Sequence, residues 1–182
     1  MTGTTMHDLT YGISSPHDLL AKLEIDASKL GSSPAPADVF NFVVTAAVLN
    51  EWTRKYYKSE PIVVALASAQ DSKIYEQLPP QTSDWLLDRS CLPSEGFDPR
   101  MHVLDALSIC WHTANASKHF HWTGSSKITT ITAKPPIRDW YQYFFTGTQD
   151  DLYVEIDERH YGLSQISGIL LQFYRGLLAE CV

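Results

Sequence analysis

The stretch PADVFNFVVTAAVLNEWTRKYY, residues 36–57, decides the fold. Wound at about 100° per residue, its Val39, Phe40, Phe42, Val43, Val44, Ala46, Ala47, Val48 and Leu49 leave almost no polar face. A helix that is apolar on nearly every side belongs in the middle of a bundle. The segment begins near Pro36 or Asp38, where proline suits a first helical turn. It runs to about Tyr57, and Arg54, Lys55 and Lys58 match the negative end of its dipole. Asn41, Thr45 and Trp52 fall on one side of it, at spacings of four and seven.

Upstream, Ser15-Pro16 reads as a capped helix start, with Leu19, Leu20, Leu23 and Ala27 following at helical spacing. Gly31-Ser32-Ser33-Pro34 ends that element. Residues 1–14 are small and polar and read as a loose tail. Downstream, Ile62-Val63-Val64 favours a strand and Ala65 to Tyr75 favours a helix; a helix is expected across the segment. Leu78 to Phe97, punctuated by prolines, reads as a long connector with a short turn near Trp85-Leu86-Leu87.

Asp98-Pro99 opens the next helix, because aspartate accepts from orphan amides and proline fits the first position. Val103, Leu107, Cys110, Trp111 and Ala114 form its apolar stripe, and it is expected to reach about Phe120, stopping before Gly124. The texture then changes. Lys127 to Lys134, Trp140 to Phe145 and Leu152 to Ile156 read as short strands, a small antiparallel meander over about residues 126–157. From Ser164 the period returns to helical, with Ile166, Leu170, Phe173 and Leu177. The expected class is α+β, mainly α: one domain over residues 15–182, a helical bundle with an inserted β-meander and a C-terminal helix.

Composition narrows the functional classes. The 182 residues are 44% hydrophobic and 19% charged, enough for an ordinary core. Cys91, Cys110 and Cys181 are odd in number and widely spaced, which argues against a disulfide framework and a cysteine zinc site. Neither a signal sequence nor an apolar run of roughly 20 residues occurs, so a soluble, cytoplasmic protein without membrane attachment is expected. A net charge of −7 disfavours non-specific nucleic-acid binding over most of the surface. No phosphate-cradling, dinucleotide or serine-nucleophile motif is present, and no cofactor is implied.

One segment departs from this background. Between Asp105 and Asp139 the chain holds no carboxylate, while it holds Lys118, Lys127, Lys134 and Arg138 with His112, His119 and His121. Trp111, Phe120 and Trp122 interleave with them, and aromatics beside cations are what stacking on bases and pairing with phosphate require. With Leu107 at the centre of the buried stripe, Ser108, His112, Asn115 and His119 share one flank of the helix. His119 and His112 are the candidate proton-transfer groups. Asn115, Lys118, His121, Trp122, Lys127 and Asn41 are the candidate binding residues. A metal site is not expected: His112 and His119 lie about 10.5 Å apart along one helix axis, too far to share one zinc ion. The plainer reading is that the same flank faces water or caps neighbouring groups.

The strings Phe40-Asn41-Phe42 with Thr45-Ala46 and Trp52, and Ala114-Asn115-Ala116-Ser117-Lys118-His119-Phe120, resemble those of a group of uncharacterised bacterial and phage helical proteins. The layout, with a histidine late in a bundle helix, is also similar to the HEPN superfamily. That resemblance implies a helical bundle, commonly dimeric, with RNase members in toxin–antitoxin and antiphage systems. The HEPN motif, Arg followed after four to six residues by His, is absent, since no Arg stands at that spacing before His112, His119 or His121. Two functions are therefore expected to compete. One is an RNA- or nucleotide-directed protein of a prokaryotic defence or toxin–antitoxin setting. The other is a non-enzymatic scaffold that dimerises or holds a protein partner, its Asn and His residues making structural hydrogen bonds. A homo-oligomer is expected in either case.

Overall fold

The computed structural model describes residues 12–31, 34–93, 97–118, 128–132, 153–156 and 159–181. The architecture is α+β with helices dominating. Helix α1 (Pro16–Ser28) begins at Ser15, whose hydroxyl accepts from the Asp18 amide, while the Asp18 carboxylate accepts from the Ser15 amide. This reciprocal capping box satisfies orphan donors at the helix start. The amides and hydroxyls of Ser14 and Ser15 hold the Asp18 carboxyl down to about 2, the Ser14 amide most of all.

Helix α2 (Pro36–Tyr56) occupies the expected central place, packing on α1 on one side and on α5 (Pro99–Lys118) on the other. Phe42, Val43, Ala46 and Leu49 supply its buried contacts. Thr45 is the polar exception: its hydroxyl donates to Asp26 of α1 at 2.7 Å and accepts from Lys22 at 2.7 Å. Asp26 is itself buried and paired with Lys22, so the group is satisfied rather than stranded. Pro61–Ser72 is helical throughout (α3), as expected for that segment.

The connector is more structured than a loop. After a 3-10 turn at Tyr75–Gln77, it contains a short helix α4 (Thr82–Trp85), a buried Leu86 and a 3-10 turn at Arg89–Cys91. Trp85 packs against the C-terminal helix α6 (Leu163–Glu180), where Gly176 leaves it room. A Cβ at that position would stand 2.2 Å from Trp85 Cγ, so only glycine lets ring and helix meet. Gln172 of α6 clamps the same connector: it accepts from the Asp88 amide at 2.7 Å and donates to the Asp88 carbonyl at 3.3 Å.

The sheet is antiparallel in the order β1 (Ile128–Thr132), β2 (Tyr153–Ile156), β3 (Arg159–Gly162). Val154 pairs with Tyr161 and Glu155 with His160. The expected meander thus extends beyond residue 157, to Gly162. Arg159-His160-Tyr161-Gly162 is too polar and short to read as a strand, and takes that form because β2 offers it a paired edge. Gly162 is at once the end of β3 and the cap of α6, its amide donating to Gln165 at 2.8 Å. The expected strand Trp140–Phe145 and the tail residues 1–11 lie outside the described residues. All three cysteines are free, and burial pushes the Cys110 thiol up to about 12. Among the described residues no helix is long and apolar enough to cross a membrane.

A cationic cleft over a buried histidine network

Helix α5 joins the core to an open cleft of about 850 Å³. One wall is the C-terminal half of α2, with Asn50, Glu51, Arg54 and Lys55; the second is the end of α3 with Gln70, Asp71 and Lys73. The floor comes from α5, through Leu104, Asp105, Ser108, Trp111 and His112, and from Ile156 and Arg159 of the hairpin. Ser108 and His112 meet here because residues four apart share a helix face.

Trp111 is a correction. It was expected in the buried stripe but is 40% exposed in the cleft, edge-on to His112 with ring centroids 4.9 Å apart. The helix turns about 100° per residue, so Cys110 takes the core position and its neighbour Trp111 swings to the edge of the stripe. Burial, and secondly the positive charge of Lys73, push the His112 pKa below its ordinary 6.5. The imidazole is therefore neutral near pH 7 and able to accept or donate a proton.

The other sequence-predicted positions fare differently. Asn115 is half-buried on α5, one turn beyond the residues that line the cleft. Asn41 is exposed on α2, nine residues before Asn50, so the helix itself places it well away from the cleft. Lys118 ends α5, and its side chain lies outside the described residues, as do His119, His121, Trp122 and Lys127. Among the described residues no group of His, Cys, Asp and Glu is arranged to hold a metal ion.

The cleft carries four cations, Arg54, Lys55, Lys73 and Arg159, against three carboxylates, Glu51, Asp71 and Asp105. This reverses the sign of the whole chain, whose net charge is −7. Arg54 is held by Asp71 at 3.1 Å and leans on Gln70 at 3.4 Å; Asn50 and Gln70 exchange long hydrogen bonds of 3.4 and 3.3 Å. Arg159 is held by Asp105, through Nε at 2.7 Å and Nη2 at 3.1 Å. Among the described residues, Lys55 and Lys73 enter no ion pair.

Beneath this floor lies a cluster that sequence reasoning missed. Tyr161 Oη donates to Asp105 Oδ2 at 2.6 Å and stands 2.8 Å from His102 Nδ1. Since the tyrosine proton is committed to the carboxylate, His102 Nδ1 must be the donor to Tyr161. His102 is thus fixed as the Nδ1–H tautomer, and its Nε2 is buried without a hydrogen-bond partner among the described residues. Burial pushes the His102 pKa down and, together with the Asp105 charge, holds the Tyr161 hydroxyl well above its ordinary 10. Asp105 holds the Arg159 guanidinium still further on the protonated side. The signal available in the sequence was the i, i+3 pair His102 and Asp105 on the face of α5 opposite its core stripe.

Compared with protein-family models, with curated proteins and with solved structures, the chain matches none. Fold and site alone define the class: a mainly helical α+β domain with a cation-rich cleft beside a central bundle helix.

Proposed function

We propose that this protein binds nucleotide or RNA in the cleft between α2, α3 and α5. The supporting observation is the pairing of unneutralised cations, Lys55 and Lys73, with an exposed indole, Trp111, in one concavity of an acidic protein. Cations attract phosphate, and an exposed aromatic face accepts a base. His112, neutral near pH 7 and on the same floor, is suited to exchange a proton with a ribose hydroxyl or a phosphate. A defence or toxin–antitoxin setting belongs to this reading through the HEPN resemblance.

Calorimetric titration of the full chain with nucleotides and with short single-stranded RNA tests the reading. Binding that weakens on raising salt is the expected result; no binding of either ligand at millimolar concentration removes it. The scaffold reading draws on a different observation, the exposed apolar side chains Ile25, Phe40, Tyr56 and Val64 on α1, α2 and α3. Light scattering of the purified chain, which reads its oligomeric state, tests that one.

A further inference from the structure

Resting on the nucleotide reading, a narrower assignment follows from Asp105. The carboxylates of the cleft are placed differently. Asp71 has 69% of its side chain exposed, and Glu51 is exposed on α2. Asp105 lies on the floor with only 12% of its side chain exposed. A carboxylate repels phosphate, so Asp105 has no part in attracting that end of a ligand. What it takes is a donor, since both of its oxygens only accept.

Its hydrogen bonds leave one place open. A carboxylate offers about four lone-pair sites. Oδ2 accepts from Tyr161 Oη at 2.6 Å and from Arg159 Nε at 2.7 Å, and Oδ1 accepts from Arg159 Nη2 at 3.1 Å. Among the described residues Asp105 accepts no other hydrogen bond, so one site on Oδ1 remains, on a side chain that lines the cleft. The three bonds join α5 to β3 and orient the carboxylate before a ligand arrives, which lowers the ordering cost of binding. Leu104 and Ile156, on the same floor, bring no side-chain donor to compete for it.

The open site suits a sugar hydroxyl better than a base. Guanine presents two donors side by side and asks for both carboxylate oxygens, but Oδ2 is full. The amino group of adenine is flanked by ring nitrogens whose lone pairs would face the carboxylate. A single hydroxyl asks for the one acceptor that is left. Of the ribose hydroxyls, the 2′ is the one that a mononucleotide and an RNA chain both carry free.

We infer that Asp105 accepts a hydrogen bond from the 2′-hydroxyl of the ligand's ribose, and that the cleft thereby selects ribonucleotides and RNA over their deoxy counterparts. The 2′-hydroxyl is the group by which a protein tells the two apart.

The test is calorimetric binding to the full chain of AMP, 2′-deoxy-AMP, 2′-fluoro-2′-deoxy-AMP and 3′-deoxy-AMP, with a short adenylate RNA beside the DNA of the same sequence. AMP and the RNA are expected to bind about tenfold more tightly than their 2′-deoxy counterparts, the scale of one charge-assisted hydrogen bond. The 2′-fluoro ligand, which accepts but cannot donate, should bind as the 2′-deoxy ligand does, and 3′-deoxy-AMP as AMP does. In Asp105→Asn the ratio of AMP to 2′-deoxy-AMP affinity should fall towards one. The ratio is the readout, because removing a negative charge also strengthens the attraction for phosphate in both ligands. A merely structural Asp105 would shift both affinities together. Since Asp105 also holds the hairpin, a wild-type measurement stands beside the variant: the carbon-13 resonance of the Asp105 carboxyl should move on saturation with AMP and stay in place with 2′-deoxy-AMP. Equal binding of ribose and 2′-deoxyribose ligands overturns this inference and leaves the nucleotide reading standing. So does a 2′-fluoro ligand that binds as tightly as AMP, which would make the protein the donor. An unchanged ratio in folded Asp105→Asn, or a carboxyl resonance unmoved by AMP, removes Asp105 as the partner. Absence of binding by any ligand overturns both readings.

Discussion

His102 and His112 stand on the same helix, about 15 Å apart along its axis, and do different work. His102 is fully buried, its tautomer set by Tyr161, and it faces a hairpin that closes the core. His112 is half-buried on a cleft floor beside Trp111 and within the field of Lys73. Burial lowers the pKa of both. A depressed histidine is therefore not by itself a mark of chemistry; what differs is the access of a ligand. The comparison separates a network that holds the β-hairpin onto α5 from a surface that the bundle leaves open.

Removing the carboxylate of the buried network is the strongest way to break this contrast. Asp105→Ala leaves the Arg159 charge and the Tyr161 hydroxyl without their acceptor, and is expected to cost about 3 kcal/mol, read by urea denaturation. A loss under about 1 kcal/mol would mean that the network is not structural. Tyr161→Phe keeps the ring packed but deletes the bridging hydroxyl, with an expected loss of about 1–2 kcal/mol. Retention of full stability would show that His102 and Asp105 need no bridge.

The pH dependence is a finer probe. His102 binds its proton less readily folded than unfolded, so its contribution is complete above its ordinary pKa of 6.5 and is lost as pH falls below it towards the depressed folded value. Denaturation midpoints are expected to decline from pH 7 to pH 5, and the decline should be shallower in His102→Gln. An unchanged slope in that variant would move the cause to another group, His112 first. The smallest expected effect is on His112 itself: His112→Ala should change stability by about 0.5 kcal/mol, within the range of half-exposed positions. A loss near that of Tyr161→Phe would place His112 in the structural network and close the contrast.

Much of the architecture was legible from local pattern. Ser15-Pro16 and Asp98-Pro99 announced helix starts through donors and acceptors within four residues of each other. The continuous apolar surface of residues 39–49 announced a central helix, because no other arrangement hides all its faces. At the candidate site, the legible part was the shared flank of Ser108 and His112, a matter of helical spacing alone. Arg54, Lys55, Lys73 and Arg159 were not legible there. They reach the cleft from two other helices and a strand, and only long-range packing brings them together.

The sequence by itself determined a mainly helical α+β domain with α2 at its centre, because helical period and capping chemistry act over a few residues. The tertiary structure alone decided that Trp111 faces a cleft, that β3 extends the sheet to Gly162, and that His102 is locked by Tyr161. Those outcomes depend on surfaces far apart in the chain, as with His102 and Tyr161, separated by 59 residues. Contact between such surfaces is set by how whole elements pack, which no local pattern encodes.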